Sequence, residues 1–157
     1  MCDHGAVPSR EPSVEIDRPV ETVFRYLVEL NDAQWRSSVL AMRLLSPSPD
    51  GVGARHVEVR RVPGRTVETV AEVTVYEPNR RWAVRRASGP VRPEITYYLD
   101  PTAAGTRLRF TFDVVVLVGA ARVLGPLVPL VRRLVYRGFG SDLGRLKQRL
   151  EPPDATG

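Results

Sequence analysis

The sequence has 157 residues, 43% of them hydrophobic, and a formal net charge of +5. That size and apolar content fit one domain with its own core and exclude a compositionally disordered chain. A single cysteine, Cys2, excludes an intrachain disulfide and a cysteine-held metal centre; such usage fits a reducing compartment, and the cytoplasm is the expected location. The positive charge is almost all arginine, spread among Asp and Glu without a basic block, which argues against a nucleic-acid surface.

Residues 1–12 are polar, lack the apolar stretch of a secretory leader, and read as a loose tail, as do 152–157. Between them, 13–151 reads as one domain without linker or repeat. Ser13–Asp17 is a short strand. Arg18-Pro19 opens a helix, with proline at a first-turn position and Glu21 in the first turn. Val20, Val23, Phe24, Leu27 and Leu30 recur at helical spacing. Asn31-Asp32 ends that helix and is read as the cap of a short second one running through Trp35.

From Val39 the period becomes two. Strands are predicted at Val39–Ser46, Val52–Val62, Arg65–Glu77, Arg80–Ala87, Glu94–Asp100 and Thr106–Val116. Short punctuations such as Pro63-Gly64 and Pro78-Asn79 between them imply hairpins and an antiparallel meander. The most apolar stretch, Val114–Val131, is interrupted by Gly119, Arg122, Gly125, Pro126 and Pro129. It reads as a strand end, a turn and the start of a buried helix, not a membrane span. A helical pattern then runs over Ala121–Leu150, with Pro126 and Pro129 able to kink or delay its start.

Alternation assigns faces. Val67, Thr69, Ala71, Val73 and Val75 share one; Trp82 and Val84 another; Ile95, Tyr97 and Leu99 a third; Leu108, Phe110, Phe112 and Val114 face away from Arg107, Arg109 and Asp113. A sheet with one apolar face needs a cover. The last helix supplies one, through Leu124, Val128, Val131, Val135, Phe139, Leu143, Leu146 and Leu150. The expected fold is therefore α+β: a curved antiparallel sheet of six to seven strands wrapped around a long C-terminal helix, with two short helices after the first strand. Many inward positions are Val, Ala or Thr, which leaves room for a cavity between sheet and helix. Val73, Trp82, Val84, Tyr97, Leu99, Phe110 and Phe112 would line it from the sheet, and Val128, Val131, Val135 and Phe139 from the helix.

Chemistry-bearing residues are few. No phosphate loop, nucleophile elbow or zinc motif is present. The two histidines, His4 and His56, lack cysteine partners, so no metal and no cofactor are expected. The strand around His56 allows two registers. With Val57 and Val59 inward, His56, Glu58 and Arg60 form a solvated face; this is the favoured reading, because burying three ionisable groups is costly. In the other register the three line the cavity and supply an acid, a base and an oxyanion partner. Tyr97 on the apolar face is either a core tyrosine or a proton donor. Arg86, near a strand end, is either an edge residue or a partner for a ligand carboxylate or enolate at the cavity mouth. Tyr97, Arg86 and Glu58 are thus the candidate catalytic groups. Trp35, between the short helices and the sheet, is placed at the cavity entrance, as packing or as a gate over a ligand. The apolar surplus at Leu124, Leu127, Val128, Leu130, Val131, Leu134 and Val135 wraps most of the helix. Core packing plus a homodimer contact is the favoured explanation, with a membrane-touching lid flanked by Arg132, Arg133 and Arg137 as the other.

Several local motifs occur in a familiar order. Arg18-Pro19-Val20-Glu21-Thr22-Val23-Phe24 opens a helix, Trp35 follows, then Val52-Gly53, Tyr76-Glu77-Pro78, Gly105-Thr106 and Leu146-Lys147-Gln148-Arg149-Leu150-Glu151. In these the chain resembles the START-like superfamily of polyketide cyclases, aromatases and lipid-transfer proteins, over about residues 13–151. The resemblance implies a helix-grip fold and a hydrophobic small-molecule ligand: a polyketide, lipid or isoprenoid. It leaves open whether the protein is a carrier or a cofactor-independent cyclase or dehydratase.

Overall fold

The computed structural model describes residues 11–88, 91–116 and 125–151. Among them, seven strands form one antiparallel sheet: β1 (Ser13–Ile16), β2 (Val39–Leu44), β3 (Arg55–Val62), β4 (Arg65–Glu77), β5 (Arg81–Arg86), β6 (Val91–Pro101) and β7 (Thr106–Val116). The spatial order is β1-β7-β6-β5-β4-β3-β2. β2 to β7 are thus a meander, and β1 returns to pair with β7, Val14 opposite Leu108. Two helices pack with the sheet, α1 (Val20–Val28) and α2 (Val128–Leu150). This is the helix-grip arrangement expected from the sequence.

The elements follow their residues, with differences at the ends. Pro19 stands just before α1 rather than inside its first turn, and α1 buries Val23, Phe24, Leu27 and Val28. Leu30 takes a positive φ of 63°, which stops the helix and reverses the chain. Asn31 does not cap the next helix with its side chain; its Nδ2 donates to the Tyr26 carbonyl at 2.8 Å. The second helix is only a 3-10 turn, Asp32–Gln34. β3 starts at Arg55, not Val52, because Gly51 and Gly53 both adopt left-handed φ, 93° and 95°, and a pleated strand cannot pass through them. α2 starts at Val128 after a 3-10 turn at Gly125–Leu127; the expected start at 121–124, with Leu124, lies outside the described residues, as do both tails apart from Glu11 and Pro12.

The inner face of the sheet carries the core. Trp82, Tyr97 and Phe110 lie side by side across β5, β6 and β7, and Leu99 pairs with Leu108. α2 covers them with Phe139, Leu143, Leu146 and Leu150, all buried. Cover is graded. Trp82, Tyr97, Leu99, Leu108 and Phe110 are fully enclosed. Further along the same face Val84 and Ile95 are only half-buried and Arg86 is exposed. Among the described residues, the grip is closed at the Leu99–Leu108 end and less covered toward Arg86. α2 holds the second end by polar contacts where β1 no longer pairs with β7. There the Phe112 backbone N–H donates to the Tyr136 hydroxyl at 3.2 Å, and Arg132 Nε donates to the Phe112 carbonyl at 3.2 Å. Three positions of the expected apolar stripe depart from it. Val128 and Val135 are half-buried, and Val131 is exposed. This part of the helix lies toward the Phe112 end, the less covered one among the described residues, where α2 meets β7 through Tyr136 and Arg132.

Candidate functional site

The register of β3 is the reverse of the favoured expectation. His56 pairs with Ala71 and Glu58 with Thr69, on the face that also carries Val73 and Trp82. His56 is buried, and the Glu58 side chain is 12% exposed. The expected solvated face is therefore an inward one. The objection to burying these groups is met by a counter-charge from elsewhere in the chain. Arg36, two residues past the 3-10 turn, is 3% exposed. Its Nη1 donates to Asp32 Oδ2 at 2.9 Å and to Glu58 Oε2 at 3.2 Å. Glu58 Oε1 also meets Arg60 Nε at 3.2 Å, and Arg60 Nη2 donates to Ser38 Oγ at 3.3 Å. Two carboxylates and two guanidiniums thus form one chain of charge at the edge of the aromatic core.

Local structure explains how Arg36 arrives there. Asp32 and Arg36 stand four apart around the 3-10 turn, and the Arg36 backbone N–H donates to the Asp32 carbonyl at 2.7 Å. The Ser37 N–H then donates to Asp142 Oδ1 at 3.2 Å, which ties this segment to α2. The guanidinium carbon lies 4.9 Å from the Phe139 ring centroid, a cation–π contact in a desolvated setting.

Aromatic rings form the floor beside this cluster. Trp35 packs edge-on to Tyr97 at 6.4 Å and to Phe139 at 6.1 Å. Trp82 stacks on Tyr97 at 5.7 Å, and Phe110 on Phe139 at 3.7 Å. Trp35 is completely enclosed, so it is part of that floor and not at an opening. Arg86 is remote in character: it shares the inner face but ends β5 as an exposed side chain. Tyr97 and Glu58, the other two candidates, do lie beside one cluster, since both interact electrostatically with Arg36. Asp32 and Arg36 were not among the candidates. The legible signal was an acid and a base four apart around Trp35, which the capping reading of Asp32 masked.

Electrostatics follow from burial. Arg36 is held firmly charged: burial opposes this, but Glu58, Tyr97 and Asp32 together outweigh it. Burial pushes the Asp32 carboxyl up, eased by Arg36. Burial also raises the Tyr97 hydroxyl well above its usual range, so the group stays protonated. It lowers His56, favouring neutral imidazole. Several polar atoms in this region have no protein partner: Arg36 Nε and Nη2, Trp35 Nε1, Trp82 Nε1 and Asp32 Oδ1. Four donors and one acceptor are thus unpaired in a region otherwise walled by rings. Among the described residues no three His, Cys, Asp or Glu side chains are grouped as a metal site. Trp82, Tyr97, Leu99, Phe110 and Phe139, expected to line a cavity, are instead buried in one packed core cluster, because the rings fill the space beneath α2. A surface hollow of about 550 Å³ lies between α1 and Leu150 and is lined by Glu21, Arg25 and Tyr26.

The comparisons agree with this architecture. The polyketide cyclase/dehydrase and lipid-transport family matches residues 9–151. The chain belongs to that family. Its fold is similar to a START superfamily protein from Mycobacterium smegmatis, with a TM-score of 0.69, 17% identity, and coverage of 89% of this chain and 94% of that one. It is also similar to TTHA0849 from Thermus thermophilus, with a TM-score of 0.66, 23% identity, and coverage of 89% and 96%. A third similar structure is BexL, a di-domain ARO/CYC of the BE-7585A biosynthetic pathway, with a TM-score of 0.67 and 19% identity; 89% of this chain aligns with 48% of that one, about one of its two domains. At these identities the likeness is one of fold. No protein of curated function matches the sequence.

Proposed function

We propose that this family member binds a hydrophobic small molecule, a polyketide, lipid or isoprenoid, between the sheet and α2, with an oxygen of the ligand against Arg36. The observation that carries the reading is the pair of unpartnered N–H groups, Nε and Nη2, on a fully buried guanidinium. A buried donor without an acceptor costs about 1–3 kcal/mol, more when charged. A ligand carbonyl, enol or hydroxyl offers the missing acceptor. The indole N–H groups of Trp35 and Trp82 add two more donors. The half-buried Val84, Ile95 and Val135 supply the apolar wall toward the less covered end. The family match supports a ligand-binding fold of the cyclase and lipid-transport type, and names neither the ligand nor its site. Mass spectrometry of the purified protein under native conditions tests the reading. A co-purified apolar compound carrying oxygen supports it. If the preparation is ligand-free and no compound from a panel of such molecules raises the melting temperature, the reading falls.

A second reading is favoured by the ionisable groups themselves. A carrier needs only apolar groups and hydroxyls, whereas Asp32, Arg36, Glu58, His56 and Tyr97 converge here. Neutral His56 can accept a proton, the Tyr97 hydroxyl, kept protonated by burial, can donate a hydrogen bond to a ligand oxygen, and Arg36 can stabilise an enolate oxygen. That is the equipment of a cofactor-independent cyclase or dehydratase. Incubation with linear poly-β-ketone thioesters against a heat-killed control separates the readings. Equal product formation in the two samples removes the catalytic one and leaves binding.

A further inference from the structure

Leu127, which caps α2, and the first two turns of that helix present a second feature, independent of the interior. Leu127 (49%), Leu130 (55%), Val131 (42%) and Leu134 (57%) are all exposed. At about 100° per residue they form one ridge, spaced i, i+3, i+4 and i+7, turned away from the Phe139–Leu143–Leu146 stripe. The ridge stops there: continuing along the same side, α2 carries Gly138, Ser141, Arg145 and Gln148. Arg133 and Arg137 border the ridge on the side away from the core. Both are exposed, and neither makes an ion pair with a described residue. No Asp or Glu occurs between Gly125 and Ser141; Arg132, on the core side, pairs with Asp113 at 3.1 Å.

We propose that this ridge is a docking surface for an anionic lipid bilayer, with the leucines entering the interface and Arg133 and Arg137 meeting headgroup phosphates. Four scattered exposed apolar side chains need no explanation, but a contiguous ridge beside cations that make no ion pair with a described residue does. Charge decides between lipid and a second copy. A twofold contact sets the same patch against itself, so Arg133 and Arg137 would face their own copies with no acid on that stretch of helix to neutralise them. A ridge of four side chains also offers only a few hundred Å² a side, below the roughly 800 Å² of a standard interface. An anionic bilayer satisfies both the ridge and the arginines. The ridge sits toward the less covered end of the grip, so docking would bring that end to the lipid surface.

The test is vesicle flotation of the full chain with phosphatidylcholine alone and with phosphatidylcholine plus phosphatidylglycerol, at low and high salt. Sedimentation velocity runs in parallel. The wild type is expected to float with anionic vesicles at low salt and to release by at least tenfold at high salt. Leu130→Ser/Leu134→Ser, both at exposed positions, should lose at least tenfold in bound fraction at unchanged melting temperature. Arg133→Ser/Arg137→Ser should erase the preference for anionic over neutral vesicles. No flotation at low salt overturns the proposal, as does equal flotation of wild type and Leu130→Ser/Leu134→Ser. A stable dimer that Leu130→Ser/Leu134→Ser dissociates also overturns it, and assigns the ridge to a second copy.

Discussion

Trp35 touches both the ring floor and the charged chain, and its role separates two accounts of the site. As a gate it would act on ligand alone. As an enclosed ring between Tyr97 and Phe139 it is part of the core, and truncation leaves a large void. Trp35→Ala is expected to lower stability by about 3–5 kcal/mol. Chemical denaturation measures this, with ligand binding measured on the folded fraction. Full stability with weakened binding would restore the gate.

His56 makes a pH prediction with a definite sign. Burial holds its folded pKa below the ordinary value near 6.5. Below that ordinary value the unfolded chain takes up a proton that the folded chain resists. Stability contributed by neutral His56 is therefore present above about pH 6.5 and is lost as pH falls toward the folded pKa. The wild type should lose melting temperature from pH 7.5 to 5.5 more steeply than His56→Gln. Parallel profiles for the two proteins would contradict the buried placement. At this scale the sequence was least legible. Alternation fixes which residues of β3 share a face but not which face is inward. The deciding partner, Arg36, lies 22 positions away from Glu58, and no local pattern connects them.

At the scale of elements the sequence was far more legible. Periodicity located every strand and the long helix, because a half-covered sheet imposes alternation and a one-sided helix imposes a stripe. Misses fall where backbone conformation, not patterning, sets the boundary: the paired left-handed glycines before β3, and the reversal at Leu30. The turn between β6 and β7 shows how tightly such boundaries are built. Gly105 packs against the junction of β1 and α1, where a Cβ would collide with the Ile16 carbonyl and come within 2.7 Å of the Arg18 nitrogen. Thr106 anchors the same junction, its hydroxyl donating to the Arg18 carbonyl at 2.8 Å. These obstacles are backbone and cannot rotate aside. Gly105→Ala is therefore expected to destabilise by about 1–3 kcal/mol or more, with an early loss of β1 protection in hydrogen exchange. An unchanged melting temperature would show that the junction yields.

Over the whole molecule the pattern is a graded one. One end of the grip is sealed by rings. A buried, fully charged arginine stands beside them with two donors free, and the other end is less covered among the described residues. Fold alone does not assign activity, and this gradient is what turns a common fold into a specific binding proposal. Both tryptophans of the chain, Trp35 and Trp82, lie in the ring floor, so their emission reports on the surroundings of this core. The most direct test is a tryptophan-fluorescence titration with 2-undecanone, an apolar chain with one carbonyl oxygen and no absorption that masks the indoles. Wild type and Arg36→Met are compared, each first confirmed folded by thermal melting. A saturable change in the wild type, weakened at least tenfold in a folded Arg36→Met, is the predicted result. No saturable change in the wild type up to the solubility limit, or equal affinity in the two proteins, would contradict the claim that Arg36 anchors an apolar ligand under α2.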